Sequence, residues 1–173
     1  MAEQSLPLTT FYSGWGGYHR GLVKSIESLT PEQLALPAAA NHWTIGMIAQ
    51  HLVGNRVWWY QMWMGEGNPE LAALAHWDPA DVEWQPVTEA SELVAGFEST
   101  WRMVEDSLAH WTPADLQQII QPASQLSEEE KKMYGSQTRK WIIWHVLEHE
   151  IHHGGEISLA LGNLGLQGAY GSM

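Results

Sequence analysis

Residues 138–163 read TRKWIIWHVLEHEIHHGGEISLALGN. Ile142, His145, His149, His153, Glu156 and Ala160 recur at steps of three and four. At ~100° per residue a step of four turns only ~40°, so these six side chains share one helical face. That face continues an apolar stripe and is expected to look into a helical core. Gly162 and Gly165 supply stop signals near Asn163. The segment is therefore a helix of about 25 residues, with polar side chains where core residues belong.

Three further runs carry the same periodicity. Leu8, Phe11, Trp15, Tyr18, Leu22, Ile26 and Leu29 predict a first long helix, weakened locally by Gly14, Gly16 and Gly17. Thr30-Pro31-Glu32 then reads as an N-cap with proline at the first helical position. A second long helix starts at Thr44, with Trp43 and Ile48 placed as a hydrophobic staple. Thr44, Met47, Ile48, His51, Asn55, Trp58 and Met62 share its face, and it ends near Gly65. The third helix follows Thr88, with Leu93, Phe97, Trp101, Val104 and Leu108 as its stripe. Thr112-Pro113 closes that region, and Ser127-Glu128-Glu129-Glu130 has capping-box spacing at a solvated helix start. Lys131 to Gln137 reads as polar and exposed, and Gln167 to Met173 as a loose tail.

Four long amphipathic helices without a strand-rich segment predict an all-α four-helix bundle, one domain spanning 1–173. The connection from Gly65 to Thr88 is long for a bundle, so the third helix need not run antiparallel to the second.

Bulk composition narrows the function. Twenty acidic residues against 8 basic give a net charge of −12, which repels phosphate backbones and anionic membranes; neither nucleic acid nor membrane is an expected partner. No transmembrane-length apolar run and no signal-peptide pattern occurs, so a cytoplasmic protein is expected. The absence of cysteine excludes a protein thiol as ligand or nucleophile. Eleven Trp against 2 Phe supply core, pocket or dimer-surface rings, and composition does not separate those uses.

The histidines carry the chemistry. Two imidazoles at i, i+4 rise about 6 Å apart along a helix and converge on one ion at ~2.0–2.1 Å. His145, His149 and His153 span ~12 Å, too far for all three to do so. The third ligand must come from another helix, and His51 stands alone on an otherwise apolar face, where a lone imidazole costs desolvation. Three histidines with an open position make a catalytic-type site. The bland alternatives are a hydrogen-bonded core histidine at 51 and a surface histidine tract on the last helix.

Trp43-Thr44-Ile45-Gly46 leading to His51, with His149-Glu150-Ile151-His152-His153-Gly154-Gly155-Glu156-Ile157, resembles the DinB/YfiT-like superfamily over essentially the whole chain. The resemblance implies an up-down-down-up bundle and a metal triad of His51, His149 and His153. It also implies one divalent transition metal, nickel or zinc foremost, and a homodimer. Its pattern places Arg-Gly-Gln after the last histidine. Here Gly154 and Glu156 stand in for the Arg and Gln, while Gly155 matches. Relatives include thiol-dependent S-transferases and a thiol-dependent isomerase.

Around the triad, His145 either hydrogen-bonds metal-bound water or substrate or is a core histidine. His152 is either an orienting group or an interhelical contact. Glu148 or Glu156 orients an imidazole N–H, and Glu156 is also a candidate general base. Gly154-Gly155 leave room for a ligand or allow close helix packing. Asn55 and Trp58 line a pocket or belong to the core. The function expected is metal-assisted activation of water, or of an external low-molecular-weight thiol as co-substrate, against a small electrophilic substrate. The alternative is a non-catalytic, stress-related metal-binding dimer. Because three neutral ligands leave the ion's charge uncompensated, a buried carboxylate or anionic substrate is expected beside them.

Overall fold

The four predicted long runs are helical in the computed structural model, which describes residues 7–169 apart from 123 and 125. In chain order the helices are α1 (Leu8–Phe11), α2 (Ser13–Ile26), α3 (Pro31–Leu34), α4 (Ile45–Val57), α5 (Ala90–His110), α6 (Glu128–Tyr134) and α7 (Arg139–Asn163). Two short antiparallel strands, β1 (Ile119–Ile120) and β2 (Gln137–Thr138), join the end of α5 to the start of α7. Among the described residues no helix is long and apolar enough to cross a membrane.

Local chemistry explains the starts. Thr30 and Gln33 form a reciprocal capping box that opens α3. The Thr44 hydroxyl accepts the Met47 N–H and opens α4 at the predicted residue. The first long run differs from expectation. It is interrupted at Tyr12, whose ring packs edge-on against Trp15, and not at the glycines.

The larger departure is at the end of α4. The chain continues as a π turn over Trp58–Trp63, whose extra residue per turn rotates the helix face. Trp59, Tyr60 and Trp63 are buried there, while Met62, expected on the inner stripe, is only half-buried. α4 is also buried on nearly every side, because the 65–88 connection folds back along it. That connection is not structureless. Pro69–Trp77 is a 3-10 helix lying against Gly54, where an added Cβ would stand 3.1 Å from the Asp78 amide nitrogen. Farther back, the Gln50 side chain holds Gln85 and Val87 by their backbone groups.

Contacts give the helix directions. Trp15 and Tyr18 bond Glu150, and Leu22 lies at Gly154, so α2 runs parallel to α7. Arg56 meets Glu150 while Trp59 meets His145, so α4 runs antiparallel to α7. Arg56 reaches Phe97 and Thr100 while Val53 lies at Gly96, so α4 runs parallel to α5. The order is up-down-down-up, and a parallel α4–α5 pair requires the long return connection.

The core has two apolar halves. One gathers Leu22, Ile26, Ile48, Leu52, Phe97 and Ile157; the other gathers Trp15, Trp59, Tyr60, Val104, Ile142 and Val146. Between them lies a buried ion pair. Arg56 Nε and Nη2 donate to the two Glu150 carboxylate oxygens at 2.7 and 2.9 Å, and neither side chain is exposed. Arg56 Nη1 donates to the Phe97 carbonyl and the Thr100 hydroxyl, and Trp15 Nε1 donates to Glu150. His19 Nδ1 faces Arg56 Nη2 at 3.4 Å. All four long helices contribute.

Two sequence expectations fail at the C-terminal half. Lys131 to Gln137 is not exposed throughout: Tyr134 packs half-buried against Trp58, Trp59 and Trp63, at the end of a helix that starts at Glu128 as the Ser127–Glu130 spacing predicts. The expected loose tail is docked at least to Ala169, which is buried and donates its N–H to Ser158; residues 170–173 lie outside the described residues. Of the 11 Trp, those in the described structure are buried or half-buried except Trp144.

Breaking the pair strands a charge in the core. Arg56→Met should cost about 3–5 kcal/mol in urea unfolding, and Arg56→Met with Glu150→Leu distinctly less. A loss below about 1 kcal/mol for the single change would contradict the reading. Burial, then the Arg56 and Arg20 cations, lower His19 from 6.5 to about 3. The unfolded chain therefore takes up this proton first. The contribution of neutral His19 is complete above pH 6.5 and is lost as pH falls toward 3. Urea midpoints of metal-free His19→Gln should fall less steeply than wild type across that window; equal slopes would count against it.

Candidate metal centre

α4 and α7, crossing antiparallel, bring the predicted triad together. One ring nitrogen from each of His51, His149 and His153 lies within 4.8 Å of the others, each residue part-buried. His51 Nε2 and His149 Nε2 are 2.7 Å apart. Two nitrogens bound tetrahedrally to one ion at ~2.0–2.1 Å stand roughly 3.4 Å apart. The cluster therefore needs only side-chain adjustment to accept an ion.

The orientation of the rings is set by carboxylates. His51 Nδ1 is 2.9 Å from Asp78 Oδ2, and His153 Nδ1 is 2.7 Å from Glu156 Oε2. A carboxylate only accepts, so each Nδ1 carries the proton and each Nε2 is left as the unprotonated donor atom a metal requires. The short His51–His149 contact then has His149 Nε2–H donating to His51 Nε2. Metal loading would replace that proton.

Electrostatics favour the neutral, ligating forms. Burial, followed by repulsion from His51, His153, His145 and His152, lowers His149 from 6.5 to about 3. Burial lowers His153 as well, against the opposing pull of Glu156. Burial acts to raise the Asp78 carboxyl, but the His51 hydrogen bond and charge and the Ala80 N–H outweigh it and leave a net lowering. Burial likewise acts to raise Glu156, and the His153 hydrogen bond with the His153, His42 and His152 charges reverses it. The donor set of three neutral imidazoles backed by two carboxylates fits a divalent ion. The carboxylates expected from charge balance sit behind the ligands, not among them.

The neighbours sort as follows. His145 stacks on Trp141 at 4.8 Å, meets Trp59 edge-on and lies 5.5 Å from the His149 ring. Burial lowers its pKa despite Glu148, whose Oε1 is 3.6 Å from His145 Nδ1. Glu148 thus accompanies His145 and not the triad. His152 is exposed and faces Glu156 on its own helix, and among the described residues it makes no interhelical hydrogen bond. Gly154 is a packing residue: an added Cβ would stand 1.8 Å from the Tyr18 hydroxyl, which donates to the Glu150 carbonyl. Gly155 faces open space. Asn55 is buried and Trp58 joins the ring cluster of Trp59, Trp63 and Tyr134. Neither lines the opening at the triad. That opening is a cavity of about 300 Å³ lined by Asn41, His42, Trp43 and His153. Trp43 forms its aromatic wall, 4.9 Å from the His51 ring.

Sequence reasoning missed Asp78 because Asp78-Pro79 reads locally as a turn, and its partner is set by the return path of the connection.

The sequence profile of the DinB superfamily matches residues 19–157, a span that contains all three histidines. A crystal structure of a DinB-like protein from Bacillus cereus superposes with a TM-score of 0.66 at 20% identity, covering 91% of this chain and 92% of the other. A likeness at that identity speaks to the fold. No match was found among curated proteins.

Asp78→Asn and Glu156→Gln should each weaken zinc binding by about 10–100-fold while leaving the circular dichroism spectrum unchanged. Competition with a chromogenic chelator reads this directly; affinities within twofold of wild type would remove the orienting role.

Proposed function

This chain belongs to the DinB superfamily, and on that premise we propose that it is a divalent-metal-dependent enzyme acting on a small electrophile. His51, His149 and His153 hold the ion; three imidazoles suit zinc, nickel, copper or iron, and the family resemblance puts nickel or zinc first. When bound, such an ion lowers the pKa of coordinated water or thiol and so supplies a nucleophile at neutral pH. The observation that carries the reading is the convergence of the three imidazoles beside a cavity of about 300 Å³ lined by Trp43 and His153, with Asp78 and Glu156 on the Nδ1 atoms of His51 and His153. That cavity offers the nucleophile and its electrophile a way in.

The chain's own residues divide the remaining work. Asp78 and Glu156 hold the Nδ1 protons of His51 and His153. Trp43 walls the cavity and suits an apolar or aromatic electrophile. With one Glu156 oxygen on His153 and the other toward His42 and His152, Glu156 serves as an orienting group ahead of a general base. His145, beside His149, is the second candidate to take up a proton, although burial lowers its affinity for one. Since the chain has no cysteine, a thiol nucleophile comes from a low-molecular-weight co-substrate. A cytoplasmic homodimer is the setting proposed.

Metal-loaded protein, assayed with glutathione, cysteine or coenzyme A and chlorodinitrobenzene, should show turnover that chelation abolishes and metal restores. His149→Ala should lower it at least 100-fold. Stoichiometric metal with no turnover for any thiol, or for hydrolysis of activated esters, would overturn the enzyme reading in favour of a metal-binding protein.

A further inference from the structure

Beside the triad, two further imidazoles approach one carboxylate. His42 lies in the turn before α4, and His152 lies on the outer side of α7. Their Nε2 atoms come to 3.3 and 3.4 Å of the same carboxylate oxygen, Glu156 Oε1. The other oxygen, Oε2, is taken by His153 Nδ1. The carboxylate thus presents one oxygen to the triad and one outward.

From this arrangement we propose that His42, His152 and Glu156 form a second, exposed divalent-metal site distinct from the three-histidine centre. His42 is held in place by a closed turn. Ala38 N–H donates to the Trp43 carbonyl and His42 N–H to the Ala39 carbonyl, and Asn41 adopts φ 59°. Two imidazoles and a carboxylate are borderline ligands suited to zinc, nickel or copper. The cavity of about 300 Å³ beside His42 has room for waters to complete the coordination. The chain's charge of −12 favours cation approach. Two exposed side chains must be ordered on binding, and the ion carries the same charge as its neighbour in the triad. The outer site is therefore at least tenfold weaker than the inner.

The test uses untagged full-length protein stripped with chelator and dialysed against buffered free zinc, with bound metal read by elemental analysis. Wild type should reach two ions per chain in separate steps. His42→Ala with His152→Ala should lose the weaker step and keep the tight one within threefold. His51→Ala should do the reverse. Saturation of wild type at one ion that His51→Ala abolishes would overturn the second site and leave the triad standing. Retention of two ions by the double variant would also overturn it. A single ion lost in the double variant but kept in His51→Ala would support the outer site and remove the triad.

Discussion

The buried Arg56–Glu150 ion pair is the constraint on which the arrangement depends. Desolvating two charges costs several kcal/mol each, and only a fully partnered geometry offsets it. Here both carboxylate oxygens accept from Arg56, while Trp15, Thr100 and the Phe97 carbonyl complete the shell. A one-residue slip of α4 along α7 would leave a charge unpaired in the core. Register is therefore set sharply at the middle of the bundle, where apolar packing alone tolerates alternatives. Glu150 follows His149 directly, and Arg56 lies little more than a turn from His51. Fixing one pair fixes the other.

The candidate centre draws its second orienting carboxylate from a different source. Glu156 is local, one turn beyond His153. Asp78 arrives from the connection, whose 3-10 helix lies on the glycine face of α4 and ends beside His51. The length of that connection thus has two consequences. It permits α5 to run parallel to α4, and it carries an acceptor to His51 Nδ1. The open side is left to the turn holding His42 and Trp43.

Much of this was legible in the residues. The periodicity marked all four long helices, and Thr44 marked the start of α4. The i, i+4 pair on α7 with a solitary apolar-face His51 named the cluster. What was hidden depended on tertiary contacts. The π turn at Trp58–Trp63 leaves no periodic signature over six residues, so helical spacing runs the inner stripe through Met62 and not Trp59 and Tyr60. Glu150 lies off the histidine face by a helical rotation, and the face predicted as core was not the only buried one. Arg56, a charge among apolar neighbours, was the available signal for a buried partner. Asp78 carried none, since the fold and not the local pattern assigns its partner.

Anomalous diffraction from crystals of the metal-loaded protein tests the central claim most directly. The account predicts that the strongest peak is bonded to Nε2 of His51, His149 and His153 at ~2.0–2.1 Å, with Asp78 and Glu156 still on the Nδ1 atoms. A peak elsewhere with the three rings turned apart, or no peak at saturating metal, would contradict it.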